Sequence, residues 1–152
     1  MTLKLNHDCM RDCLMYLEAK TTVQIGESEI ENEFDVSLKS VTLATMFSDM
    51  ESWANQDIFY AVFNLHQGGY LSTSIDESDT GTNFEAVSVH YITLQGHEFL
   101  DSIRDNERWR SIKNGLSAVR NYSLSAISAV AEGLTAGAIS AFLAQRGETS
   151  AP

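Results

Sequence analysis

The chain has 152 residues, of which 43% are hydrophobic and 20% are charged, so one domain-sized core can form without metal or disulfide support. Ten Lys and Arg against 21 Asp and Glu leave a formal charge of −11, which excludes a protein that coats nucleic acid or anionic membrane with its whole surface. A single proline and nine glycines exclude fibrous and low-complexity classes.

The N-terminal part predicts a helix followed by an acidic strand. Asn6 is a suitable N-cap, and apolar residues recur at helical spacing as far as Lys20. Cys9 and Cys13 share one face of this helix, and we expect small buried hydrophobes in a reducing compartment there, with no disulfide and no metal site. Apolar and polar residues then alternate from Thr21 to Val36, which predicts one strand.

Carboxylates occupy every second position along this predicted strand: Glu27, Glu29, Glu31, Glu33 and Asp35. On a single strand they would project to one side about 6.7 Å apart. The row is either an acidic ridge that binds a basic partner or a solvated edge strand whose charges discourage edge-to-edge pairing. No EF-hand spacing accompanies it, so no calcium site is predicted.

The middle of the chain predicts two helices and a hairpin. One helix begins at Ser40, and a second runs from around Ser52 to the pair Gly68-Gly69, a common C-terminal stop. Strands over 70–75 and 86–92 then flank a polar wing tip, whose acidic residues are Asp76, Glu77 and Asp79.

Everything after Thr93 is predicted to be helical, with helices over 94–103, 106–119 and 123–145. The last helix carries a small residue at every fourth position: Ser125, Ala129, Gly133, Gly137 and Ala141. Such a stripe lets another helix approach closely. We expect it to hold together a homodimer or larger oligomer, with burial against the parent domain as the alternative.

This order of elements predicts an α+β fold, a winged helix-turn-helix with additional C-terminal helices. The predicted boundaries are 1–103 for a winged-helix-like domain, 104–146 for a helical extension that mediates oligomerisation, and 147–152 for a disordered tail.

Two segments resemble an uncharacterised prophage-associated family of unknown function. They are residues 92–105, with the block Gly-His-Glu-Phe-Leu-Asp at 96–101 and Trp109 just beyond, and the opening segment 8–18. The stretch from Asp57 to Leu71 also resembles the segment of winged-helix proteins in which the recognition helix ends at glycine and the first strand of the wing begins. The resemblance covers most of residues 6–116. It implies a winged-helix-like fold and a phage or mobile-element setting, and it supplies no activity and no catalytic residues.

Winged helices commonly bind DNA, but the charges here oppose it. No Lys or Arg lies between Lys39 and Arg104, whereas nine Asp and Glu do. The predicted recognition helix offers Asn55 and Gln56 to base edges without a cation to hold the phosphates. Basic residues follow later, among them Arg104, Arg108 and Lys113; they form either a phosphate-binding face or pairs with acidic residues on the same helices.

The sequence contains no recognisable catalytic constellation, nucleotide-binding loop or metal-ligand spacing, so we expect neither an enzyme nor a cofactor. It has no signal-peptide pattern and no clear membrane span, so we expect a cytoplasmic protein. The predicted function is protein–protein binding by a phage-type acidic winged helix, whose acidic row, wing tip and recognition helix engage a host protein with a basic surface. That partner would be a nucleic-acid-handling or defence protein, which makes the chain a regulator or counter-defence inhibitor. The alternative is a sequence-specific DNA-binding transcription regulator.

Overall fold

The computed structural model describes residues 4–27, 34–76, 86–119 and 123–133. Its strands are β1 Val23–Glu27, β2 Phe34–Leu38, β3 Val41–Thr42, β4 Leu71–Thr73 and β5 Ser88–Ile92. Its helices are α1 His7–Lys20, α2 Leu43–Asp49, α3 Asn55–Gln67, α4 Leu94–Ile103 and α5 Asn106–Val119. Residues 124–133 form a further helix, α6. The fold is therefore α+β, as predicted, and it divides into two compact units, Met1–Leu100 and Asp101–Pro152.

Helix α1 forms where its capping signal predicts it. The Asn6 side chain accepts a hydrogen bond from the Cys9 backbone N–H at 3.0 Å, which satisfies one of the free donors of the first turn. The buried face of α1 includes both cysteines, and both thiols are free, so the prediction of small buried hydrophobes is confirmed. The pKa of Cys13 is raised well above its usual value by the side-chain hydrogen bond with Cys9, by burial, and by the charges of Cys9 and Asp12.

The prediction of one strand from Thr21 to Val36 is wrong. Strands β1 and β2 pair antiparallel in a two-stranded sheet of their own, with Val23 opposite Leu38 and Glu27 opposite Phe34. Glu27 and Asp35 therefore belong to two different strands, and Glu29, Glu31 and Glu33 lie outside the described residues. We call this pair of strands the β1–β2 ribbon.

The second sheet has three antiparallel strands in the order β3-β5-β4. The predicted hairpin is confirmed by the pairing of β4 with β5, which contains an irregularity between Ser72 and Thr73. The predicted helix does not begin at Ser40, because Val41 and Thr42 form strand β3, in which Val41 pairs with Val89. Helix α2 begins only after Thr42, whose side chain accepts a hydrogen bond from the Thr45 backbone N–H as the N-cap. β-Branched residues favour this extended backbone.

The core of the first unit lies between α1, α3 and the three-stranded sheet. Helix α1 packs against α3 and β5, and it buries Met10, Leu14 and Leu17 completely. Two side-chain hydrogen bonds also tie α1 to the chain around α2. Tyr16 donates its hydroxyl proton to Asp49 at 2.5 Å, and the Trp53 indole donates to Asp12 at 2.9 Å. Burial, aided by the Asp49 hydrogen bond and charge, raises the pKa of Tyr16.

The second unit has its own buried residues on α5 and α6. Trp109, Ile112 and Leu116 are buried on α5, and Ile127 and Ala131 are buried on α6. The two helices approach closely at Gly115, where an added Cβ would lie 3.1 Å from a methyl carbon of Val130. In the described part of the chain, no helix has the length and apolar character needed to cross a membrane.

Candidate partner-binding surface

Helix α3 has one side in the core and one side facing away from it. Its buried residues are Ile58, Ala61, Val62 and Leu65. With 3.6 residues per turn, the opposite side is a line of four residues that we call the α3 outer stripe: Gln56, Tyr60, Phe63 and Gln67. The two glutamines at its ends are exposed, and the two aromatic residues at its centre are half-buried.

The centre of the α3 outer stripe is aromatic. The Phe63 ring lies 6.0 Å from the ring of Phe59 in a tilted arrangement, which is a favourable geometry for an aromatic pair. The neighbouring Asn64 amide donates to the Tyr60 carbonyl at 2.7 Å, so one of its donors is used within the helix. Asn55 and Gln56, the two residues predicted to contact bases, are exposed in the first turn.

The chain segment that contains this stripe has no Lys or Arg, whereas α1, which also packs against α3, has Arg11 and Lys20. Residues 40–103 include β3, α2, α3, β4, β5 and α4, and they contain nine Asp and Glu but no Lys or Arg. Among these acids, Asp49, Glu51, Asp76 and Glu98 are exposed. This charge distribution repels phosphate and attracts a basic surface.

The C-terminal end of α3 is fixed by a turn that Thr93 holds in place. Gly69 has a φ of 80°, a backbone conformation that favours glycine. The Thr93 hydroxyl donates to the Gly69 carbonyl at 2.7 Å and accepts from the Gly96 backbone N–H at 3.0 Å. Thr93 therefore caps α4, as predicted, and joins that cap to the turn after α3.

Gly96 lies against the chain at Tyr70. A Cβ at position 96 would collide with the Tyr70 carbonyl oxygen and approach the Ile92 side chain to 2.7 Å. Three residues further along this block, the Phe99 ring stacks on Tyr70 with 4.7 Å between the ring centres. The Gly-His-Glu-Phe-Leu-Asp block thus has a packing role at its Gly and Phe positions.

The described histidines form no metal site. His66 Nδ1 lies 2.9 Å from the Thr73 hydroxyl, which ties the last turn of α3 to β4, and His97 is exposed. Within the described ranges, no group of three His, Cys, Asp or Glu residues is arranged to hold a metal ion.

Three basic residues of the second unit have defined partners. Arg104 forms an exposed ion pair with Asp101 at 3.0 Å, and the Lys113 ammonium lies 5.9 Å from the centre of the Trp109 ring. Arg108 is half-buried, and its guanidinium donates at 2.7 Å both to the Ser102 carbonyl and to the Ala131 carbonyl. Arg108 therefore connects the start of α5 to α6.

The acidic residues predicted to bind a partner fall at separate places. Glu27 ends β1 and Asp35 lies in β2, whereas Glu29, Glu31 and Glu33 lie outside the described residues. Asp76 is exposed after β4, and Glu77 and Asp79 also lie outside the described residues.

The predicted oligomer stripe begins on a surface of α6. Ser125, Ala129 and Gly133 are exposed, and a Cβ built on Gly133 has no other atom within 4 Å. Gly137 and Ala141 lie outside the described residues, as do the rest of the predicted last helix and the predicted tail.

The sequence interpretation missed the outward position of Tyr60 and Phe63. Both lie in the apolar segment between Ile58 and Leu65 of the predicted second helix. Their offset from Ile58, Val62 and Leu65 was the available signal, because residues two and five positions away from a buried residue fall on a different side of a helix.

The comparison with protein families finds a match over residues 4–121 to a family described as a hypothetical protein, DUF2513. The chain belongs to this family. Among the curated proteins and the solved structures that were compared, no protein matches the chain. The DUF2513 match begins before α1 and ends after α5, so the α3 outer stripe lies within it and α6 lies beyond it.

Proposed function

We propose that the chain is an acidic winged-helix protein that acts by binding another protein through the side of α3 that faces away from the core. The winged-helix assignment is supported by the element order β3-α2-α3-β4-β5 and by the sheet order β3-β5-β4. In this arrangement, α3 occupies the place of a recognition helix and the β4–β5 hairpin that of a wing.

The observation that carries the proposal is the chemistry of the α3 outer stripe. Aromatic side chains are enriched at protein interfaces, since they bury a large area and keep a polar group or edge available. A DNA-reading helix instead needs Lys or Arg beside it, because phosphate neutralisation supplies most nonspecific affinity. The α3 outer stripe has the aromatic residues, and residues 40–103 have no cation.

The favoured partner is a protein with a basic surface. The exposed acids of residues 40–103, together with the other carboxylates of residues 27–35 and 76–79 in the sequence, favour such a partner. The resemblance to a prophage-associated family extends the proposal to a host protein that handles nucleic acid or provides defence, with the chain as its cytoplasmic inhibitor or regulator.

The alternative, a DNA-binding regulator, has less support from the described residues. Of the basic residues it would use, Arg108 is engaged with two backbone carbonyls and Arg104 with Asp101. Asn55 and Gln56 would then have to read bases without a cation on their own helix.

A DNA-binding titration separates the two functions. We expect no specific complex with the DNA upstream of the coding sequence at concentrations below micromolar and about 0.15 M salt, because the α3 side of the chain repels phosphate. The measurement is a gel shift repeated over a range of salt concentrations. Specific binding below micromolar with a steep salt dependence would establish the regulator instead.

Self-association through the small-residue stripe is part of the same proposal. The exposed surface at Ser125, Ala129 and Gly133 supports it, since a packed neighbour within the chain would cover these residues. Helix interiors also disfavour glycine by roughly 1 kcal/mol each, a cost that close packing against a second copy would offset.

We therefore expect the intact chain to be a homodimer or larger, and we expect leucine at both Gly133 and Gly137 to lower its molar mass. The larger side chains would occupy the space that a partner helix requires. Light scattering on the wild type and the double variant measures this. A wild-type mass near the 16.8 kDa of one chain would refute self-association, and a dimer that tolerates both leucines would place the interface elsewhere.

A further inference from the structure

Leu94 is an apolar residue on the side of α4 that faces away from the core. Among the described residues it is the most exposed large hydrophobic side chain, at 75%. The buried residues of α4 fall on the opposite side of the helix at 3.6 residues per turn: Gly96, Phe99, Leu100 and Ile103. The packing of α4 therefore does not require an apolar residue at position 94. Single exposed leucines are common on protein surfaces, so the place at which this one is held decides its interpretation.

Two side-chain hydrogen bonds join the neighbours of Leu94 to the turn after α3. The Thr93 hydroxyl donates to the Gly69 carbonyl at 2.7 Å, and the Gln95 amide donates to the Gly68 carbonyl at 3.4 Å. The last residue of the α3 outer stripe directly precedes these two glycines, and it is exposed, as they are. Leu94 is therefore held beside the C-terminal end of the stripe, on backbone that these bonds fix.

Glu98 lies one helical turn beyond Leu94 on the outer side of α4. Residues four apart on a helix are neighbours on its surface, and both of these side chains are exposed. Within the described ranges, Glu98 forms no ion pair. The surface next to the end of the stripe thus presents an apolar side chain with a carboxylate beside it.

We infer that Leu94 and Glu98 form a second contact with the partner proposed above. Leu94 enters an apolar pocket of that partner, and Glu98 binds a Lys or Arg at the edge of the pocket. The inference rests on the proposed function and deepens it, because it states what the partner presents next to the α3 outer stripe. A second copy of the chain fits this surface poorly. A two-fold contact would bring both copies of Glu98 into one interface, and residues 40–103 have no Lys or Arg to neutralise them.

Binding of the partner to two variants tests the inference. The probe is the basic protein that the wild-type chain retains from a bacterial host, purified and titrated by biolayer interferometry. Leu94→Gln should weaken its binding about ten-fold, because apolar anchors in an interface commonly contribute at least this much. Glu98→Lys should slow association and make it less dependent on salt, because a charge at the edge of an interface acts mainly on the association rate.

The matched controls are Met15→Gln and Glu107→Lys, which make the same kinds of change at exposed positions on α1 and α5. Both should bind the partner as the wild type does. The inference is overturned if Leu94→Gln binds as tightly as its control, or if Glu98→Lys associates as fast as its control. It is also overturned if Leu94→Gln lowers the molar mass of the chain in light scattering, because Leu94 would then contact a second copy.

Failure of this inference is distinguishable from failure of the proposed function. A partner that is lost by Gln56→Arg with Gln67→Arg but kept by the Leu94 and Glu98 variants contradicts only the second contact. Recovery of no basic partner contradicts the proposed function and the second contact together.

A measurement on the wild-type protein does not depend on the folding of any variant. The first backbone amides of a helix lack partners within the helix, so a bound protein that covers them should slow their hydrogen exchange. We expect slower exchange over residues 94–98 when the partner is added. Unchanged exchange there, with slower exchange in α3, would also overturn the inference.

Discussion

The Gly96→Ala variant is expected to lose about 3 kcal/mol of unfolding free energy, the upper part of the range for an overpacked core site. The added Cβ would collide with the Tyr70 backbone carbonyl, which cannot rotate away as a side chain can. Moving α4 to relieve the collision would also disturb the hydrogen bonds of Thr93 to Gly69 and Gly96. Because natural domains have only about 5–15 kcal/mol of stability in total, a urea titration should show a large shift of the midpoint.

Gly133→Ala is the matched control for this variant, and both titrations are carried out at a protein concentration low enough for the chain to be monomeric, because Gly133 belongs to the proposed oligomer interface. Gly133 is also helical, but nothing lies within 4 Å of its added Cβ. The same substitution should stabilise the chain there, by about 0.5–1 kcal/mol of helix propensity. Equal midpoints for the two variants would show that Gly96 does not have the close backbone contact described above.

The Arg108→Met variant is expected to lose about 3 kcal/mol of unfolding free energy, because it removes two hydrogen bonds from a charged donor, each of which contributes at least about 1.5 kcal/mol. Methionine keeps much of the aliphatic length but removes both 2.7 Å hydrogen bonds, to Ser102 and to Ala131. Lysine should restore only part of the loss, because one ammonium cannot reproduce the two-pronged geometry of a guanidinium. Thermal unfolding followed by circular dichroism measures the series.

Arg110→Met provides the comparison for Arg108. Arg110 lies on the same helix and is exposed, and exposed substitutions commonly change stability by less than about 0.5 kcal/mol. If Arg108→Met and Arg110→Met unfold at the same temperature, then the link between the start of α5 and α6 does not contribute to stability.

The sequence predicted best those elements that carry a local capping signal. Asn6 and Thr93 cap the helices that were expected to follow them, and α4 and α5 have the predicted bounds. The β1–β2 ribbon was missed although the apolar positions shift from odd numbers at Val23 and Ile25 to even numbers at Phe34 and Val36. A period of two on both sides of this shift was interpreted as one strand. Strand β3 was missed because two residues are too short a segment to show any period.

The sequence singled out Asn55 and Gln56 as contacts to bases, and the structure shows that both are exposed in the first turn of α3. The sequence did not single out Tyr60 and Phe63 of the α3 outer stripe. The outward position of Tyr60 and Phe63 depends on which side of α3 the core covers, and an aromatic run does not specify that side by itself. The hydrogen bond from Arg108 to the Ala131 carbonyl could not be predicted from the sequence either. Every residue has a backbone carbonyl, so the identity of the residue 23 positions away does not indicate that it accepts this bond.

Co-purification from a bacterial host with two charge variants of the α3 outer stripe tests the central claim most directly. The variants are Gln56→Arg with Gln67→Arg, and Gln56→Glu with Gln67→Glu, which alter the two exposed ends of the same stripe in opposite directions. We expect the wild type and the glutamate variant to retain one protein with a basic surface, identified by mass spectrometry, and we expect the arginine variant to lose it. Recovery of no basic partner, or of a partner that both variants retain equally, would contradict protein binding through α3. The DNA-binding regulator would be favoured instead if the wild type bound DNA measurably, the arginine variant bound it more tightly and the glutamate variant bound it more weakly.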